Sequence, residues 1–171
     1  FGCSANIPQH YDRTLKRIGI ETYRFNKLRP ALIIQMNNRD HRKVIVIDNN
    51  VAFTGGVNLA DEYINVINRF GYWKDSAIRL EGEAVWSFTV MFLGMFSYLR
   101  ERKEQIDYAK YKLPCIETHS NSYFQPFSDT PTDEVNLGLS AHLSLINQAK
   151  RYVYIDTPYL IYTPGSYIDL S

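Results

Sequence analysis

A histidine and a lysine two residues apart, His41 and Lys43, open the stretch of this chain best suited to chemistry. The stretch runs His41-Arg42-Lys43, then four apolar residues, Asp48, six further residues, and Gly55-Gly56-Val57-Asn58. On an extended strand, residues two apart project from one face, so imidazole and ammonium would stand together. An imidazole able to attack, beside a fixed cation, suits phosphoryl transfer through a phosphohistidine. The same pair suits a divalent metal poorly, because the lysine repels the ion and no second histidine stands at ligand spacing. Neither a metal nor another cofactor is expected.

The elements around this pair must position it. Residues 44–47 and 51–54 are β-branched or aromatic apart from Ala52, with Asp48, Asn49 and Asn50 between them. Asparagine tolerates the positive φ of tight hairpin turns. A two-residue loop at Asn49-Asn50 predicts Asp48 opposite Val51, Lys43 opposite Gly56 and His41 opposite Asn58. Opposed residues have Cβ atoms about 5 Å apart, so histidine, lysine and the asparagine amide would form one patch. Gly56, without a side chain, would leave room there for a phosphate against the backbone. Asp48 lies an odd number of residues from His41 and would face away on a regular strand. It reads as a residue that ties down the turn.

Patterning elsewhere predicts an α/β order. A helix is expected over residues 10–18, with Tyr11, Leu15 and Ile18 at helical spacing and Gly19 as its stop. Residues 20–25 alternate like a strand, and 28–35, holding Pro30, read as a loop or bulge. The hairpin over 40–57 follows, then a short helix over 59–63 and a strand over 76–80 closed by Gly82. A long helix is expected over 83–103, a strand over 122–127, a helix opened by Thr132-Asp133-Glu134 and running to Lys150, and a strand over 152–155. Alternating strands and helices argue for a layered sheet with helices on its faces. Residues 84–99 run sixteen positions without a charge and imitate a membrane span. A spanning helix needs about twenty, and Ser87, Thr89, Gly94 and Ser97 interrupt this one. It reads as a buried helix, with an interfacial helix as the alternative.

Composition bounds the partners. A chain of 171 residues, 45% hydrophobic and 14% aromatic, has room for one domain or a little more, with a core. A formal net charge of +1 gives no electrostatic case for nucleic acid or an anionic surface. Cys3 and Cys115 have no metal or redox spacing and read as free thiols of a reducing compartment. The first residues, Phe1-Gly2-Cys3-Ser4, show neither the basic region nor the apolar core of a signal peptide.

The motif resembles the phospholipase D superfamily, whose signature is this histidine–lysine–aspartate pattern with a Gly-x-x-Asn tail. Many members carry serine where Gly56 stands, and the glycine variant is similar to bacterial cardiolipin synthases. Phe25-Asn26-Lys27-Leu28-Arg29-Pro30, Asn38-Arg39-Asp40-His41, Leu59-Ala60-Asp61-Glu62-Tyr63, Gly71-Tyr72-Trp73-Lys74-Asp75, Gln125-Pro126 and Thr157-Pro158-Tyr159-Leu160-Ile161 extend the likeness. It implies a phospholipase D-like layered fold, a mixed β-sheet flanked by helices, apparently cut at both ends. Residues 1–120 would be a first half-domain carrying the motif, and 121–171 the start of a second. His10, His119 and His142 have no lysine two positions on, so a second motif is absent from this chain.

The resemblance further implies a catalytic set of His41, Lys43, Asp48 and Asp75, with Asp75 orienting the imidazole. Lys43, Asn58 and Gly56 would bind the substrate phosphate, without metal or cofactor. Substrates would be phosphatidylglycerol and other membrane phospholipids, and the product cardiolipin. The partner would be the second half-domain of a longer protein or a second copy of the chain, with no nucleic acid. A longer protein would act at the cell membrane, on its cytoplasmic side, through a portion with no spanning segment. A nuclease or phosphodiesterase of the same superfamily and a non-catalytic fragment are the alternatives.

Overall fold

The structure, a computed structural model, describes residues 7–25, 40–69, 71–100, 105–114, 118, 120, 122–129 and 136–157. The chain falls into two compact units, Phe1–Pro126 and Phe127–Ser171. Expectations for residues 28–35, for Arg39, Cys3, Cys115 and His119, and for 158–171 lie outside the described residues.

The first unit is organised by a three-stranded antiparallel sheet and the helix across it. Strands β1 (Val44–Ile47), β2 (Val51–Gly55) and β3 (Ala77–Glu81) lie in the order β1-β2-β3. A short helix, α1 (Tyr11–Arg17), precedes them, and a 3-10 turn over Asp61–Ile64 lies between β2 and β3. Gly82, at φ 91°, turns the chain from β3 into α2 (Ala84–Arg100). Alternate residues of each strand face α2, as the period of two requires. Val46, Ala52 and Leu80 form one row across all three strands. α2 answers with Val85, Phe88, Thr89 and Leu93, one stripe at helical spacing. Ala52 and Val85 are fully buried, and Val44, Val46 and Met91 close the cluster. Ala52, the one small residue of its strand run, sits on the central strand under the helix, where a bulkier side chain would lift α2 off the sheet. The opposite face carries half-exposed Ile45 and Ile47 and an Arg79–Glu81 ion pair.

The α/β class expected from the sequence is the one observed, but the hairpin register differs. The pairs are Val44 with Thr54, Ile45 with Phe53, Val46 with Ala52 and Ile47 with Val51. The loop therefore has three residues, Asp48, Asn49 and Asn50. Left-handed φ falls on Asp48 (51°) and Asn49 (54°), and the Asn50 N–H donates to the Ile47 carbonyl at 2.9 Å. The turn closes one residue early and leaves Asn50 as an extra residue. A tertiary contact favours this choice: Asn49 is buried, and Thr89 Oγ1 of α2 donates to its Oδ1 at 2.6 Å. Continued by the same register, Lys43 would oppose Gly55 and His41 would oppose Val57, not Gly56 and Asn58.

His41 and Lys43 also lie just before β1 rather than on it, because the ladder ends at Val44 and Thr54. The strands expected over 20–25, 122–127 and 152–155 do not form among the described residues. Alternation makes a segment able to pair, and a strand exists only where a neighbour accepts its hydrogen bonds. Tyr152 and Tyr154 still show the two-residue period, with ring centroids 5.0 Å apart. Residues 84–99 form most of α2, and no helix among the described residues is long and apolar enough to cross a membrane. In the second unit α3 (Leu137–Gln148) starts where Asp129 accepts from the Gly138 N–H at 2.6 Å. Phe127–Ser171 contains no other helix or strand among its described residues.

Candidate active site

One end of the sheet gathers most of the residues of interest. Register places the start of β1, the end of β2 and the start of β3 side by side there. Lys43 precedes β1, Gly56 and Asn58 follow β2, and Asp75 precedes β3. Asp48 occupies the turn at the other end of β1. At about 3.3 Å per residue, the four residues of that strand keep it well away from His41. Its left-handed φ gives it a part in the turn, and the structure does not bring it to the imidazole.

His41 is exposed, and its neighbours fix the backbone that carries it. Arg42 Nε donates to Asp40 Oδ1 at 2.8 Å and Arg42 Nη2 to Asp40 Oδ2 at 3.1 Å, while the Arg42 N–H also reaches Oδ1 at 3.1 Å. This two-pronged clamp spans the histidine. Burial pushes the Asp40 carboxyl up, but the hydrogen bonds and charge of Arg42, with the charge of Lys43 beyond, outweigh it and hold the group below its ordinary range. Lys43 Nζ folds back on the His41 carbonyl at 2.7 Å, so the ammonium is held beside the histidine's own backbone.

Gly56 is not the open floor expected from the sequence. A β-carbon there would fall on the Asp75 carboxylate, with its Cγ at 2.8 Å. The space freed by the missing side chain is filled by Asp75. The strand pairing continues past the assigned ends, since the Gly56 N–H donates to the Ser76 carbonyl at 3.1 Å. Asp75 is itself fixed: Ser76 N–H donates to Oδ1 at 2.7 Å, and Trp73 Nε1 donates to Oδ2 at 3.1 Å. Asn65 holds Trp73 in turn, its Nδ2 donating to the Trp73 carbonyl at 2.9 Å and its Oδ1 accepting the Trp73 N–H at 2.6 Å. The sequence reading gave Trp73 and Asn65 no part. A tryptophan two residues before an aspartate on an extended segment shares its face, and an indole N–H can only donate. That was the available signal for Trp73. No comparable local signal marks Asn65. Among the described residues no group of histidines, cysteines and carboxylates could hold a metal ion.

No family model matches the chain, and no solved structure matches it. Curated relatives do. It is 50% identical over 151 residues to an uncharacterized protein of Streptococcus mutans, covering 88% of this chain and 32% of that protein. It is 32% identical over 132 residues to cardiolipin synthase 2 of Staphylococcus epidermidis, covering 77% and 27% of the two chains. It is 31% identical over 158 residues to a cardiolipin synthase of Staphylococcus aureus, covering 87% and 32%. The chain thus spans less than a third of the length of these relatives. The likeness to the synthases runs through most of the chain and agrees with the group its own motif resembles. The chain belongs to the bacterial cardiolipin synthase-like group of the phospholipase D superfamily.

Proposed function

We propose that this chain carries one half of a phosphatidyltransferase site, with His41 as the nucleophile. The observation that carries the reading is the His41–Lys43 pair at the sheet end shared with Gly56, Asn58 and the fixed Asp75. His41 attacks the phosphorus of a phosphatidylglycerol. The bond from phosphorus to the glycerol oxygen breaks, and an acid from the other half protonates the departing alcohol. A phosphatidyl–histidine remains. The hydroxyl of a second phosphatidylglycerol attacks it, frees the imidazole and yields cardiolipin. Lys43 and Asn58 hold the phosphate oxygens by charge and hydrogen bonding, and Gly56 admits the Asp75 carboxylate beside them. Asp75 orients the imidazole. Asp48 holds the turn.

The missing acid belongs to a second half, in a longer protein or in another copy of this chain, at the inner face of a membrane. General acid–base help is typically worth about 10²–10⁴-fold, so the lone chain as a monomer should make no measurable cardiolipin. Mass spectrometry of the chain after incubation with phosphatidylglycerol vesicles tests the reading. An acid-labile phosphatidyl adduct on His41, accumulating slowly because water must protonate the departing alcohol and lost in His41→Ala, is expected. Cardiolipin formation linear in protein concentration would overturn the half-site reading, and formation rising with its square would assign the second half to another copy.

A further inference from the structure

The segment over residues 59–69 and 71–72 makes several hydrogen bonds within itself and leaves apolar side chains exposed. Tyr63 N–H donates to the Ala60 carbonyl at 3.1 Å, and Val66 and Ile67 N–H both donate to the Asp61 carbonyl, at 3.0 and 3.4 Å. Arg69 N–H donates to the Ile67 carbonyl at 3.1 Å, and Gly71 N–H to Asn68 Oδ1 at 2.9 Å. Tyr63 packs edge-on against Trp73 at 4.8 Å, and Asn65, at φ 59°, ties that indole's backbone into the loop. Five large apolar side chains are left outside, Leu59 95% exposed, Ile64 63%, Val66 69%, Ile67 52% and Tyr72 86%, among exposed Asp61, Asn65, Asn68 and Arg69. Scattered surface hydrophobics are ordinary. Five of them within fourteen positions, on a segment that adjoins the candidate site, mark an interaction surface.

We propose that residues 59–69 and 71–72 insert into a phospholipid surface and seat the candidate site at headgroup depth. The inference rests on the lipid reading above and says how that site reaches its substrate. Three observations favour lipid over a protein partner. The loop starts from Asn58 and returns to Trp73 and Asp75, so its insertion lowers the site itself toward lipid phosphates. Tyr72 and Trp73 adjoin the aliphatics, and such amphipathic rings favour the boundary between membrane and water. Lys74 follows the loop and Trp73 directly, with a cationic head for lipid phosphates and a long stem able to snorkel.

The test is co-sedimentation of the full chain with vesicles of phosphatidylcholine and phosphatidylglycerol in equal parts. Ile64→Ser, Val66→Ser and Ile67→Ser are combined in one variant. Leu59→Ser is made alone, and Tyr98→Ser serves as control on α2, where Tyr98 is 74% exposed. The wild type should bind. The triple variant should lose roughly a thousandfold in partitioning, given about tenfold for each aliphatic group withdrawn from the lipid. Leu59→Ser should lose about tenfold and Tyr98→Ser nothing. A wild type that stays in the supernatant, or loop variants that bind like it, would overturn the proposal. So would loop-dependent self-association without vesicle binding, which would assign the surface to protein. His41→Ala must still bind vesicles, and a wild type that binds them without forming the adduct refutes only the chemistry.

Discussion

Gly55 and Gly56 are adjacent, yet the structure gives them different reasons to be glycine, and alanine substitutions separate these. Neither lies in the left-handed region, so alanine fits both backbones. At Gly55 a β-carbon would meet backbone: Ala77 Cα at 2.7 Å, with the Ser76 carbonyl oxygen closer still. Gly55 pairs directly with Ala77, so β2 and β3 must part. Overpacking of this kind costs about 1–3 kcal/mol. Weakening the next bond, Gly56 N–H to Ser76, adds about 0.5–1.5. The stiffer unfolded chain returns about 0.4–1. Gly55→Ala should therefore cost about 1–3 kcal/mol, which lowers Tm by about 2–4 °C per kcal/mol in a chain of this size. At Gly56 the obstacle is the tip of the Asp75 side chain, which can swing aside. Only its exposed hydrogen bonds to Trp73 and Ser76 are lost, so Gly56→Ala should cost no more than about 1 kcal/mol. Urea unfolding followed by circular dichroism measures both. Adding Asp75→Ala to Gly56→Ala should cost less than the two singles together, because both act on one contact. A larger loss for Gly56→Ala than for Gly55→Ala, or strict additivity with Asp75→Ala, would refute the close-approach argument.

Thr89→Val keeps the shape of the α2 side chain and removes the donor to buried Asn49. It should destabilise by about 1–3 kcal/mol in the same urea assay, and Thr89→Ser by clearly less. The depressed Asp40 carboxyl contributes stability that is present in full above the unfolded aspartate value, about pH 4, and is lost as pH falls through its lower folded value. Thermal melts of wild type and Asp40→Asn should differ at pH 6 and converge near pH 2–3; a gap that grows on acidification would contradict the Arg42 clamp. The His41 adduct should form equally in EDTA, and its loss on chelation with recovery on adding one metal would contradict a metal-free site.

The sequence by itself determined which residues are candidates for chemistry and the local character of most elements. His41, Lys43, Gly56 and Asn58 stand out as candidates because a fixed spacing of chemically distinct groups is a local fact. α2 was legible because its apolar run is long, and the hairpin because two β-branched runs flank asparagines. The likeness to known synthases was carried by the same local motifs. The tertiary structure decided the register and the surroundings. Asn49 and Asn50 are almost equivalent as turn residues, and only burial of Asn49 against Thr89 separates them. A one-residue choice there moves the partners of His41 and Lys43. Whether space beside Gly56 is open or filled depends on Asp75, nineteen positions further along and brought in by β3. The apolar and aromatic character of residues 20–25, 122–127 and 152–155 showed a capacity to pair, but pairing needs a neighbour at hydrogen-bonding distance, and that is a property of the folded chain rather than of any segment in it.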